Sequence, residues 1–107
     1  MRRGEIRWYR FQSPDKRRPV MLLTRDSALS FLGEVTVAPI TSTVRGIHTE
    51  VPLSKPDGMP RPCAINLDHL QTVNKSRLGP MIASLQPHRW AEVEEALFFA
   101  LGFKVSH

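Results

Sequence analysis

Cysteine is nearly absent: Cys63 stands alone in 107 residues. No intrachain disulfide can form, and no thiolate cluster can hold a metal. The four histidines, His48, His69, His88 and His107, fall in no metal-ligand spacing. Neither a metal nor a cofactor is therefore expected. Also missing are a Gly-rich phosphate loop, a Gly-x-Ser-x-Gly elbow and a His-Glu-x-x-His helix. Cys63 lies among apolar residues and reads as a buried structural thiol rather than a nucleophile. Any catalysis must then use Arg, Thr, Ser, Asp or His. No apolar run nears the ~18 residues of a membrane span, so no membrane partner is expected. The charges of Met1-Arg2-Arg3-Gly4-Glu5 are not followed by an apolar stretch, which argues against a secretory leader. A cytoplasmic location is the expectation.

Positive charge is present in excess, and it is unevenly spread. The net charge is +5. Residues 1–25 carry eight basic groups against Glu5 and Asp15, whereas the remainder has seven basic and eight acidic residues. A basic N-terminal quarter points to a polyanion such as nucleic acid or an acidic protein. Its densest part is Lys16-Arg17-Arg18-Pro19, which runs straight into Val20-Met21-Leu22-Leu23. Four consecutive apolar residues predict a strand buried on both faces. Pro19 suits the start of such a strand, and the residue before a proline is held extended. Arg18 is thus placed at the rim of a rigid core, where a guanidinium can bind phosphate. Three solvated loop charges are the competing reading of the same run.

The other elements follow from local pattern. Glu5 to Phe11 is rich in β-formers and predicts a strand, with Ile6 and Trp8 on one face. On that pattern Trp8 reads as core more readily than as a base-stacking platform. Gln12 to Asp15 has turn chemistry. Arg25 to Phe31 predicts one or two helical turns, ended by Gly33. Glu34 to Ile40 predicts a second core strand, bent or ended at Pro39. Thr49 to Leu53 predicts an edge strand containing Pro52. Ser54 to Pro62 predicts a loop, Cys63 to Leu67 a strand, Thr72-Val73 a short strand and Gly79 to Leu85 another. From Pro87, residues Trp90, Val93, Leu97, Ala100 and Leu101 recur at helical spacing, and Phe98 and Phe99 widen that stripe. The expected fold is α+β, a small, strongly bent antiparallel barrel with a C-terminal helix over about 87–102. One domain, 1–107, is expected from the length.

Residues suited to phosphodiester chemistry cluster at two strand ends. Arg18 precedes one apolar strand, and Thr41-Ser42-Thr43 follows another. If these strands pair antiparallel, Arg18 and Thr41 meet at one rim. A guanidinium beside hydroxyls can neutralise charge that accumulates on phosphorus. Capping of a strand end is an equal reading of Thr41 from spacing alone.

The chain resembles the MazF/PemK/Kid toxins of bacterial toxin–antitoxin systems, which are endoribonucleases. The resemblance begins at Arg3-Gly4-Glu5-Ile6-x-Trp8, Arg18-Pro19-Val20 and Val37-Ala38-Pro39-Ile40-Thr41-Ser42. It continues through Val44-Arg45-Gly46, Glu50-Val51, Asn66-Leu67-Asp68 and Thr72-Val73-x-Lys75-x-Arg77-Leu78-Gly79. Ala91-Glu92-Val93-Glu94-Glu95-Ala96-Leu97 and Leu101-Gly102 complete it. It implies an SH3-like barrel acting as a homodimer. It implies metal-independent cleavage of single-stranded RNA by 2′-OH attack, and an acidic cognate antitoxin that covers the groove. The family's catalytic arginine and threonine fall on Arg18 and Thr41. Lys16, Arg17, Ser42, Thr43 and Arg45 are the expected RNA contacts. Asp68 matches an acid involved in RNA handling in some members, with a strand-end role as its alternative. His48 or His69 would suit a general base at neutral pH, although no motif anchors either. In two respects the chain departs from many members: a shorter loop precedes Arg18, and Gln71 replaces an arginine. Two other functions remain open on the same barrel, a gyrase-binding toxin like CcdB and a non-catalytic RNA binder.

Overall fold

The computed structural model describes residues 1–11 and 17–103. Its centre is strand β2, Arg17–Leu22. Val20, Met21 and Leu22 are wholly buried, and Leu23 nearly so. Because side chains alternate across a strand, this run serves two cores. Val20 and Leu22 pack with Tyr9, Leu29, Val35, Val37 and Val73 on one face. Met21 and Leu23 pack with Ile6, Ala38, Ile40, Val51 and Ile65 on the other. Full burial contributes about 1.5–3 kcal/mol for each such side chain, so this strand anchors everything attached to its ends.

Strand β1, Glu5–Arg10, pairs antiparallel with β2. Strand β3, Glu34–Thr41, pairs antiparallel with the other side of β2. Of the two outcomes expected at Pro39, a bend or an end, the second does not occur: β3 runs on through it to Thr41. It lies instead where β3 changes partners on its far side. There Glu34–Val37 face β6 (Gln71–Asn74), while Ile40 and Thr41 face β5 (Cys63–Asn66). Ala38 and Pro39 fall between the two partners, where a missing N–H interrupts no ladder on that side. Strand β4, Glu50–Leu53, borders β5 at one end of the sheet, the edge position expected from Pro52. Strand β7, Leu78–Ser84, borders β1 at the other end. The resulting seven-stranded antiparallel sheet is a curled half-barrel that stays open between β4 and β7.

A short helix α1, Asp26–Leu29, joins β2 to β3. It ends at Ser30, before the glycine expected to stop it. A 3₁₀ turn at Lys55–Asp57 interrupts the predicted loop. Pro87 opens a second such turn, Pro87–Arg89, and helix α2 runs Trp90–Leu101. Gly102 caps it in the left-handed region, at φ +78°. Val93 and Ala96 are buried, and Trp90, Leu97 and Ala100 pack partly against the core. Phe99 and Leu101 do not: they are 62% and 54% exposed. The helix therefore covers the sheet with a narrower stripe than its composition suggested. Gly4 locks this end of the fold: its N–H donates to Leu22 O, and its carbonyl accepts from Leu85 N–H. At φ +92°, with Trp90 Cζ2 only 2.9 Å from where a Cβ would stand, a side chain has no room there.

Candidate active site

The register of β2 against β3 builds the site. Val20 lies opposite Pro39, and Met21 opposite Ala38. Arg18 precedes Val20 by two residues and Thr41 follows Pro39 by two, so the ladder leaves both at the same rim. On its other side Arg18 lies opposite Tyr9, and Pro19 opposite Trp8. A cleft of about 530 Å³ opens at this rim, and Arg17, Arg18, Thr41, Ser42 and Thr43 all line it. Trp8 forms part of its wall and is only half-buried; the Arg17 guanidinium lies 4.9 Å above its ring. The tryptophan is thus a platform at the cleft, a departure from the core role its alternation suggested.

Thr41 is held by a local turn. Its Oγ1 accepts from Thr43 N–H at 3.1 Å and makes only a long contact of 3.5 Å towards Thr43 O. With one lone pair occupied by the backbone, the hydroxyl proton remains free to donate to a better acceptor. The loop beyond is fixed by the nearly buried Glu50, whose Oε1 accepts from Arg45 N–H at 2.8 Å and Gly46 N–H at 3.2 Å. Glu50 was not anticipated, and a single glutamate at the start of an edge strand carries no signal of such a role.

Arg61 also lines the cleft, on the segment after the first 3₁₀ turn, and it too was missed. The signal was present: Arg61 precedes Pro62, as Arg18 precedes Pro19. Each proline restricts the arginine before it to extended backbone. Cys63 forms part of the floor. Burial, and to a smaller degree the nearby Asp57 carboxylate, push its thiol above the ordinary value. It stays protonated near neutral pH and is a poor nucleophile.

The remaining sequence candidates do not line this cleft. Asp68 accepts from Thr49 Oγ1 at 2.6 Å, and its N–H donates to Asn66 Oδ1 at 2.9 Å. His48 is exposed, its ring 5.3 Å from that of Phe99, in a separate hollow beside Glu92 and Glu95. His69 is exposed at the turn before β6, and the Arg45 side chain is exposed on the loop after β3. Lys16 and the turn at Gln12 to Asp15 lie outside the described residues. No group of three His, Cys, Asp or Glu side chains among the described residues is arranged to hold a metal ion.

A curled sheet that presents arginines and hydroxyls around one open cleft has the chemistry to suit an anionic ligand. Residues 2–101 match the model of the PemK-like, MazF-like toxins of type II toxin–antitoxin systems, and the chain belongs to that family. It is 44% identical over 88 residues to endoribonuclease MazF3 of Mycobacterium tuberculosis, covering 82% of each chain. With the probable endoribonuclease MazF5 of the same organism it shares 37% identity over 100 residues, 92% of this chain and 91% of that one. The solved structure of M. tuberculosis toxin MazF-mt6 superimposes with a TM-score of 0.87 at 36% identity, over 94% of this chain and 99% of the other. A MazE–MazF structure from Deinococcus radiodurans gives a TM-score of 0.81 at 26% identity, over 97% and 98% of the two chains. The curled half-barrel with its C-terminal helix is the fold of these MazF structures.

Proposed function

We infer that this chain is the endoribonuclease toxin of a toxin–antitoxin pair. It cleaves single-stranded RNA at short sequence motifs and needs no metal. The substrate's 2′-oxygen forms a bond to the adjacent phosphorus while the bond from phosphorus to the 5′-oxygen breaks. A proton leaves the 2′-hydroxyl and another is taken up by the departing 5′-oxygen. The products are a 2′,3′-cyclic phosphate and a 5′-hydroxyl end, and DNA, lacking the nucleophile, is spared.

The observation that carries this reading is Arg18 and Thr41 lining one cleft in a chain that belongs to this family. Guanidinium groups keep their protons near neutral pH, so Arg18 acts by neutralising the charge that builds on the phosphorane oxygens. Thr41 donates its free hydroxyl proton to a phosphoryl oxygen. Arg17 and Arg61 attract and hold the chain. Among the described residues the lining holds arginines, hydroxyls and a protonated thiol but no carboxylate or imidazole, and we assign the 2′-hydroxyl proton to solvent. The partner toxin and antitoxin segments follow from the family: an acidic antitoxin segment fits the same basic cleft, and Ile47, Phe99 and Phe103 supply exposed apolar surface for a homodimer. No described helix is long and apolar enough to cross a membrane, and an RNA substrate puts the action in the cytoplasm.

The test is to incubate purified protein with heteropolymeric RNA in EDTA and characterise the new ends. Cuts at a recurring motif, with cyclic phosphate and 5′-hydroxyl termini, are expected. Retention of RNA without cutting would instead mark a binding barrel. Neither binding nor cutting, in a folded protein, would overturn the reading altogether.

A further inference from the structure

Beside the cleft, on the far side of Trp8 and Arg17, lies a second groove of about 340 Å³. Its other walls are Tyr9, Arg10, Arg77, Gly79 and Pro80. Trp8 and Arg17 line both depressions, so the two are continuous across the indole. We propose that this groove is a second subsite, which takes nucleotides of the single strand flanking the cleaved bond. The proposal rests on the endoribonuclease reading above.

Three observations carry it. The first is a bulge. Arg7 lies opposite Met81 and Tyr9 opposite Leu78, so Gly79 and Pro80 on β7 together face Trp8 on β1. A bulge bends its strand and re-aims the side chains opposite it. Here it puts residues with little or no side-chain reach on the floor below Trp8. The Gly79 carbonyl accepts from the Arg7 guanidinium at 2.9 Å, which ties the irregular backbone in place.

The second is concentrated positive charge. Arg10 lies directly opposite Arg17 in the β1–β2 ladder, an arrangement that repulsion disfavours. Arg77 comes from the 3₁₀ turn Lys75–Arg77 and closes the same groove. Among the described residues, no carboxylate pairs with Arg10, Arg17 or Arg77. A bound phosphate relieves this repulsion, and guanidinium groups suit that ligand well.

The third is stacking surface. Arg17 lies over the half-buried Trp8, and the Arg77 guanidinium lies 6.0 Å from the ring centre of Tyr9. The Tyr9 ring is itself buried in the core, so the surface offered is the indole and the two guanidinium planes. Arginine planes and aromatic faces interleaved with positive charge are what holds single-stranded nucleic acid with little regard to sequence. The chemistry that recognises the flank is therefore phosphate charge and base stacking. The subsite should strengthen binding without adding to the recognised motif.

The experiment uses the full chain and a synthetic RNA core of about five nucleotides spanning the mapped cut site, within the range of such binding sites. The same core is also extended by unrelated sequence at its 5′ end or its 3′ end. A 2′-deoxy substitution at the cut position permits binding without cleavage. Extension at one end is expected to tighten wild-type binding roughly tenfold, as one or two stacked, phosphate-anchored nucleotides would. Arg77→Ala should abolish that gain and reduce the slope of log affinity against log salt by about 0.7, the value for one lost phosphate contact on a single strand. Arg77→Lys should keep the slope and lose part of the gain. Arg18→Ala should cut the all-RNA versions on the order of 10²–10³-fold more slowly yet retain the gain in binding from extension. If wild-type protein cuts RNA but binds all lengths equally, the subsite is wrong and the proposed function stands. Persistence of the gain in a folded Arg77→Ala protein overturns it likewise. If the wild type cuts no RNA, the proposed function falls and the subsite with it.

Discussion

Arg89 and Arg18 are the same residue type in opposite circumstances. Arg89 sits at the start of α2 with every part of its guanidinium engaged. It donates to Asp57 Oδ1 and Pro52 O, each at 2.6 Å, and to Glu92. These contacts pin the helix to the 3₁₀ turn and to edge strand β4. Their hydrogen bonds and charges raise its already high pKa further, Glu92 contributing most and outweighing the opposing effect of burial. Arg18 stands exposed on a cleft wall, with no carboxylate partner among the described residues. An arginine with all three guanidinium nitrogens engaged inside the fold holds elements together. One anchored by its backbone alone, with its donors directed at solvent, is available to a ligand.

That contrast can be broken first at the cleft. Arg18→Ala and Thr41→Ala should each lower RNA cleavage by on the order of 10²–10³-fold, the usual cost of a preorganised donor. Thermal melting should not move in either variant, and a parallel loss of stability would mean that these residues are structural after all.

Arg89→Ala should behave in the reverse sense. Losing its charged hydrogen bonds should cost on the order of 2–3 kcal/mol, leaving Asp57 without its partner. For a domain of this size the melting temperature should fall by roughly 10 °C, while cleavage per folded molecule stays near wild type. Equal losses of activity in Arg89→Ala and Arg18→Ala would erase the distinction.

Acid provides a finer test of the same anchor. Burial pushes the Asp57 carboxyl upward, but the Ser54 N–H, the Arg89 hydrogen bond and the charges of Arg89 and His88 outweigh it. The carboxyl is held below its ordinary 3.8. A carboxylate lowered on folding contributes stability that is complete above the unfolded value and disappears as pH falls through the folded one. The stability gap between wild type and Asp57→Asn should therefore be constant near neutral pH. It should narrow only below about pH 4, as urea titrations at stepped pH would reveal. A gap that widens in acid has the wrong sign.

The smallest effects belong to residues outside the proposed chemistry. His48→Gln and His69→Gln should leave cleavage within about threefold, since neither lines the cleft; general-base catalysis would cost on the order of 10²–10⁴-fold. A loss of that size in either variant would bring that histidine back into the mechanism.

Val20 to Leu23 could be read as a doubly buried strand because a continuous apolar run has few other homes. Arg18 could be placed at its rim because Pro19 restricts the residue before it. At Pro39 the local pattern left a bend and an end both open, since a proline ends a strand only where its missing N–H would face a partner, and the partner change along β3 is not local information. Phe99 and Leu101 were misassigned because helical spacing gives a stripe but not the width of the surface it covers. Arg61 carried the same Arg-Pro signal as Arg18, but nothing local indicated which rim its loop would reach.

By itself, then, the order of residues determined the apolar strands, the terminal helix, the arginine held before Pro19 and the family to which they belong. These are properties of neighbours along the chain, set by periodicity and by proline. Only the tertiary structure decided which arginines are bound internally and which line the cleft, and that Gly79 and Pro80 together face Trp8. Strand period assigns a side chain to a face, whereas partners across a sheet depend on register. The register that aligns β2 with β3, and the bulge that shifts β7 against β1, are settled by packing the two cores together.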